Sequence, residues 1–91
     1  MSKIYEGQFL RLVIDTKIDL TEATAVKISY KKPSGESGEW TATKDPDSIT
    51  KMYYDIPAVN ETGSWTVYGK ATFPQGTIRG DIAKFTVEFA D

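Results

Sequence analysis

"AVKISYKKPSGESGEWTATK", residues 25–44, is the stretch whose reading decides the fold. Val26, Ile28 and Tyr30 alternate with Lys27, Ser29 and Lys31, as a half-buried strand requires, because successive side chains of a strand point to opposite faces. Pro33-Ser34-Gly35 then turns the chain: Pro33 suits the second position of a β-turn, and Gly35 and Gly38 can take positive φ. Trp40 opens the return run, in which Trp40, Ala42 and Lys44 alternate with Thr41 and Thr43. The stretch reads as a β-hairpin with Trp40 turned to the core. A phosphate loop is excluded by order, since a Walker loop runs Gly-x-x-x-x-Gly-Lys-Ser/Thr from a strand into a helix. Here Lys31 and Lys32 precede the glycines, and a strand follows.

The same period extends outward in both directions. FLRLVID places Leu10, Leu12 and Ile14 on one side and Phe9, Arg11 and Val13 on the other. SITKMYYDI sends Met52, Tyr54 and Ile56 to one face. SWTVYGKATF aligns Trp65, Val67, Ala71 and Phe73, and IAKFTVEFA aligns Ala83, Phe85, Val87 and Phe89; both read as central strands. Turn chemistry separates the runs at Asp19-Leu20-Thr21-Glu22-Ala23, Asp45-Pro46-Asp47, Asn60-Glu61-Thr62-Gly63 and Pro74-Gln75-Gly76. No stretch sustains a helical stripe; the nearest is a single turn that Asp19 can cap, with Leu20 tucked beneath it. With Lys3 to Tyr5 as a short first strand, about seven strands recur at the spacing of a two-sheet sandwich. The expectation is all-β: an antiparallel immunoglobulin-like β-sandwich, one domain over residues 1–91, with a small β-barrel as the alternative. Antibody domains centre their core on a disulfide, but this chain has no cysteine. Trp40 or Trp65 must fill the centre instead.

Composition removes most chemistries. With no His and no Cys, the commonest general base, the common metal ligand and the best nucleophile are all absent. Glu6, Asp15, Glu22, Glu36, Glu39, Glu61 and Glu88 fall in turns or on wet strand faces, not as two carboxyls across a cleft. The chain reads as a non-enzyme with no cofactor and no metal. Lysine and arginine number 11 against 13 acids, and no single-sign block gives the basic patch that nucleic-acid binding needs. No apolar run approaches the length of a membrane span, and Met1-Ser2-Lys3-Ile4-Tyr5 lacks the apolar core of a signal peptide, so synthesis in a cytoplasm is expected.

Several short motifs read more simply as structure. Asp45-Pro46-Asp47-Ser48 spaces two carboxylates as calcium loops do, yet the further ligands, the glycine and the closing glutamate are missing. Arg79-Gly80-Asp81 spells an integrin tripeptide at the start of the last strand, where Gly80 marks a bulge. Asn60-Glu61-Thr62 matches a glycosylation acceptor and reads as a turn. Five Tyr and two Trp raise the alternative of a carbohydrate- or receptor-binding module, against which stands their use in core and cross-strand packing.

"DLTEATAVKISYKKPSGESGEWTAT", the strand end "YYDI" and "ETGSWTVYGKATF" together resemble small immunoglobulin-like structural proteins of tailed bacteriophages, and the first half is similar to the N-terminal module of phage baseplate upper proteins. The resemblance runs from about Tyr5 to Phe89. Its motifs are Asp19-Leu20-Thr21, Lys32-Pro33, Gly38-Glu39-Trp40 and Gly63-Ser64-Trp65, which specify turns and core anchors. The structural anchors it singles out are Trp40, Trp65, Pro33, Gly35 and Gly63. Where the family often has Asp between Pro and Gly this chain has Ser34, and its loop is longer by Glu36-Ser37. The resemblance implies a virion protein docking on capsid, tail or baseplate partners, with capsid decoration favoured over a tail or baseplate adaptor. It implies no nucleic-acid or membrane partner and allows a homo-oligomer on the particle.

Overall fold

The computed structural model describes residues 4–89. Nine strands form two facing sheets among them. They are β1 (Ile4–Tyr5), β2 (Leu10–Asp15), β3 (Ala25–Lys31), β4 (Ser37–Thr41), β5 (Thr43–Lys44), β6 (Lys51–Ile56), β7 (Gly63–Phe73), β8 (Gly76–Arg79) and β9 (Ala83–Glu88). One sheet runs β1-β9-β7-β3-β4, with β8 on the far half of β7; the other runs β2-β6-β5. The pairs are antiparallel except β1 with β9, which is parallel. The sheets keep separate edges and do not close, so the fold is an immunoglobulin-like β-sandwich and not a barrel.

The eleven residues of β7 organise the first sheet. Trp65, Val67, Gly69 and Ala71 all turn inward and are buried. Across β3 they face partners of matching size: Tyr30 lies opposite Val67, Ile28 opposite Gly69 and Val26 opposite Ala71. Gly69 has no side chain because the space above it is taken. A Cβ there would stand 3.0 Å from Thr16 Cγ2 and 3.2 Å from Met52 Cε, both reaching over from the opposite sheet. Met52, Ile28, Val67 and Leu20 are sealed from solvent in one half of the core, and Trp65, Val59, Val87 and Ile56 in the other. Aromatic rings join the halves: Trp40 stacks on Tyr30 at 4.2 Å and on Tyr54 at 5.0 Å, and Trp65 stacks on Phe85 at 5.6 Å. The two tryptophans lie 6.4 Å apart and occupy the centre together.

Two expectations change, and the bulge expected at Gly80 is found. The run from Trp40 to Lys44 is not one strand: it leaves the first sheet at Ala42 and continues in the second as β5, where Thr43 pairs with Tyr53. Ala42 is buried at this corner, its N–H still donating to Val26 O at 3.1 Å. The last strand bulges at Gly80, as expected. Lys70 pairs with Arg79 but Val67 pairs with Ala83, so three residues of one strand, Gly80 to Ile82, stand against two of β7, the count of a bulge. That strand is also not central: on its side away from β7 only the two residues of β1 flank it, Ala83 is exposed and Phe89 is 75% exposed. Lys3, expected in the first strand, lies outside the described residues.

Ion pairs decorate both outer faces. Arg11 grips Asp55 with two hydrogen bonds, 2.7 and 3.0 Å long, and Lys70 and Lys27 both reach Glu39. Asp55 is held below the ordinary carboxylate range by Arg11, Glu39 by Lys70 and Ser29, Asp15 by Lys17 and Thr50, and Asp19 by Thr21. Each carboxylate therefore ionises more readily folded than unfolded, and the folded chain binds fewer protons. The stability this contributes is complete above the ordinary carboxylate range and is lost as pH falls through the lowered folded values. With no histidine to titrate, the urea midpoint followed by tryptophan fluorescence should stay level from about pH 8 to pH 6 and fall below about pH 4. Asp55→Asn should remove part of that fall.

Candidate functional site

The β3–β4 hairpin is fastened to the turn before β7. Gly35 N–H donates to Lys32 O at 2.9 Å and Lys32 N–H to Glu36 O at 2.8 Å, closing a three-residue loop in which Gly35 takes φ +99°. Glu61 accepts the Ser34 amide at 2.7 Å, and Glu61 O accepts the Trp65 indole N–H at 2.9 Å. Pro33 packs on Gly63, whose φ is +115°. Of the five anchors, Trp65, Pro33, Gly35 and Gly63 thus meet at one end of the sandwich, and Trp40 lies between the sheets. This end is knitted to itself by these contacts.

The other short motifs are absorbed in the same way. Arg79 lays its guanidinium over the Tyr68 ring at 4.2 Å, and Gly80 N–H donates to Gly69 O at 2.8 Å, so the tripeptide sits in a sheet and not at a loop tip. Asp45 accepts the Asp47 amide at 2.8 Å and, through its carbonyl, the Ser48 amide, a self-capped turn. Asn60 accepts from Lys32 at 3.4 Å. Among the described residues, no three His, Cys, Asp or Glu side chains are gathered to hold a metal ion. The tryptophans serve the core: Trp65 is 1% exposed and Trp40 is stacked on two tyrosines, which argues against a tryptophan-based sugar platform.

The opposite end is open. After β2, Asp15 accepts the Lys17 amide at 2.9 Å and holds Lys17 in a left-handed conformation, φ 58°. Thr16, buried, donates to Thr50 O at 2.8 Å and so fixes the start of the loop to the other strand of its sheet. Leu20 then plugs the core from above, its N–H bound to Ile49 O at 2.7 Å. Asp19 accepts the Thr21 amide at 2.9 Å, and hydrogen bonds from Thr21 hold its carboxyl below the usual range, hence ionised at neutral pH. Facing this loop is the tip of the β7–β8 hairpin, where Phe73 pairs with Gly76 around Pro74 and Gln75. Between the two lies a cleft of about 500 Å³ whose apolar walls are Ile18, Phe73 and Ile78 and whose polar edge is Asp19 and Gln75. Asp19 and Phe73 also border a neighbouring hollow with Thr21 and Glu22.

Sequence reasoning missed this cleft because its walls come from segments more than fifty residues apart. The sequence marks the two turns that border it, at Asp19 and at Pro74-Gln75-Gly76, but the exposure of Ile78, 49%, is seen only in the structure. It also missed a second feature: the outer face of the first sheet collects Lys27, Lys31, Lys70, Lys84 and Arg79, cations scattered along the chain. Glu39 neutralises the middle of that face by taking Lys70 and Lys27.

A scan against protein-family models gives no match, and a search of curated proteins gives no significant one. Among solved structures, the chain is similar to CopC from Methylosinus trichosporium OB3b, with a TM-score of 0.58 and 19% identity over 97% of this chain and 82% of that one. At this identity the likeness establishes the sandwich fold. It also corrects the resemblance read from the turn motifs: the structure matched is CopC and not a phage structural protein. The virion role, as capsid decoration or baseplate adaptor, and the virion location fall with that resemblance. The physical reason is visible in the fold. Asp19-Leu20-Thr21 caps a turn, Lys32-Pro33 shapes a hairpin and Gly63-Ser64-Trp65 seats a core ring, which are demands a sandwich of this topology makes whatever its role.

Proposed function

We propose that the chain is a non-catalytic binding module that takes a short apolar and basic segment of a protein partner into the cleft between Ile18 and the β7–β8 hairpin tip. The observation that carries this reading is the juxtaposition of apolar walls, Ile18, Phe73 and Ile78, with the carboxylates of Asp19 and Glu22 at the rim. Apolar walls favour any partner that can leave water, and the carboxylates favour one bearing lysine or arginine beside its apolar anchor. The absence of catalysis is supported by the acids themselves. The four carboxyls whose affinity for protons is clearly displaced, Asp15, Asp19, Glu39 and Asp55, are all displaced downward by hydrogen-bond donors, so none of these four is a proton donor at neutral pH.

Selection from a random library of decapeptides tests the proposal. Enriched peptides should carry an aromatic or aliphatic residue flanked by Lys or Arg, with micromolar affinity as befits one or two anchors. Ile78→Asp and Glu22→Lys, both at exposed positions, should each weaken the enriched peptides about 10-fold or more, roughly 1.4 kcal/mol. Peptides that bind both variants as well as the wild type, or a library with no enrichment, would dispose of the cleft as the binding site.

A further inference from the structure

We infer that β2 is the contact between two copies of this chain, which join edge to edge in antiparallel fashion about a two-fold axis through Val13. β2 pairs with β6 alone, so one side of its six residues has no neighbouring strand among the described residues. Thr16 N–H donates to Thr50 O in the β2–β6 ladder. The alternation of an antiparallel ladder then turns the backbone groups of Leu10, Leu12 and Ile14 toward β6 and those of Arg11, Val13 and Asp15 toward the open side. An edge of this length invites pairing unless proline, a bulge or an inward-pointing charge blunts it. β2, with the sequence LRLVID, has no proline, no glycine and no inward charge. The other edges are poorer templates: β1 and β5 are two residues long, β8 is four residues, opens on Gly76 and runs into the bulge at Gly80, and β4 contains Gly38.

The side chains of β2 are complementary to themselves. Pairing two copies about Val13 sets Arg11 opposite Asp15 of the second copy, and Asp15 opposite Arg11 of the second copy. Within one chain Arg11 already faces Asp55, and Asp15 faces Lys51. Each outer row of the joined sheet therefore reads Lys51, Asp15, then the second copy's Arg11 and Asp55, with signs alternating throughout. The central row is apolar: Tyr53 and Val13 of one copy meet Val13 and Tyr53 of the other, and Val13 is 47% exposed in the single chain. On the inner face, half-buried Leu12 comes opposite Ile14 of the second copy and extends the core. Sliding the copies by one step sets Val13 opposite Arg11 or opposite Asp15 and loses both ion pairs. The register is thus specified by charge as well as by pleat.

Sedimentation equilibrium of the whole chain tests this. The wild type should show a concentration-dependent species of twice the 10.1 kDa chain mass. Val13→Lys and Val13→Glu, on the outer face away from the core, should each raise the dimer dissociation constant about 10-fold or more by opposing like charges on the axis. Unchanged tryptophan emission and urea midpoint would show that both variants remain folded. An equimolar mixture of the two should recover the dimer, since the introduced lysine then faces the introduced glutamate. Amide exchange at Arg11, Val13 and Asp15 should slow with rising concentration. A wild type that stays monomeric to about 1 mM, a dimer indifferent to both substitutions, or a mixture that does not recover would each overturn the inference.

Discussion

Trp65→Ala is expected to lower the stability of the chain by about 3–5 kcal/mol, the cost of removing a large buried ring whose space cannot fully collapse. Proteins of this size are stable by about 5–15 kcal/mol, so the variant should be partly unfolded at physiological temperature. The loss comes from several contacts at once. Trp65 is 1% exposed, stacks on Phe85, neighbours Trp40 and Tyr30, and donates its indole N–H to Glu61 O at 2.9 Å. The last of these ties the core ring to the turn that also grips Ser34, so the β3–β4 loop should loosen with the core. Trp65→Phe keeps the stack, loses the indole bond, and should cost clearly less. Urea unfolding followed by far-ultraviolet circular dichroism reads both, with the remaining Trp40 as a second probe.

Gly63→Ala should cost about 3 kcal/mol, from two separable causes. The backbone at Gly63 has φ +115°, a region that residues with a Cβ rarely adopt, and the new methyl would also meet Pro33 Cβ and Cγ at 2.9 Å. Pro33→Ala removes part of that obstruction but leaves the backbone conformation as it is. The double variant should therefore be more stable than the sum of the two single losses implies, by about 1 kcal/mol, while remaining well below the wild type. Strict additivity would mean that the contact between Pro33 and Gly63 contributes nothing.

How far the fold was legible depends on where its reasons lie. β3 and β7 were legible because a strand buried on one face writes its period into the sequence: Val26, Ile28, Tyr30 and Trp65, Val67, Ala71 all turn inward. The single turn capped by Asp19, with Leu20 sealed beneath it, was legible from its capping chemistry. The passage of the chain from one sheet to the other at Ala42 was not, since alternation continues unbroken from Trp40 to Lys44 while the pairing partner changes from β3 to β6. Nor was the peripheral position of β9. Ala83, Phe85, Val87 and Phe89 alternate as a central strand does, but the neighbour that would cover them is only two residues long.

The candidate site was legible least. Ile18, Phe73 and Ile78 become one surface only when the loop after β2 and the β7–β8 hairpin are brought to the same end of the sandwich. The turn motifs that sequence reading weighed most heavily lie largely at the opposite end or within the core. They report how the chain folds, and a reading of function built on them went to phage particles, away from the structure that the chain matches. The free edge of β2 was equally hidden. Its residues alternate like those of any half-buried strand, and only the sheet order shows that one side has no partner strand among the described residues.

The binding account is tested most directly by amide chemical-shift mapping of the nitrogen-15-labelled chain with a library-selected peptide. The account predicts shifts confined to Ile18, Asp19, Thr21, Glu22 and the hairpin from Phe73 to Ile78, with the Lys32–Glu36 loop and β4 unmoved. Shifts centred instead on the outer face of the first sheet, around Ser29, Glu39 and Tyr68, or on the Lys32–Glu36 loop, would contradict it.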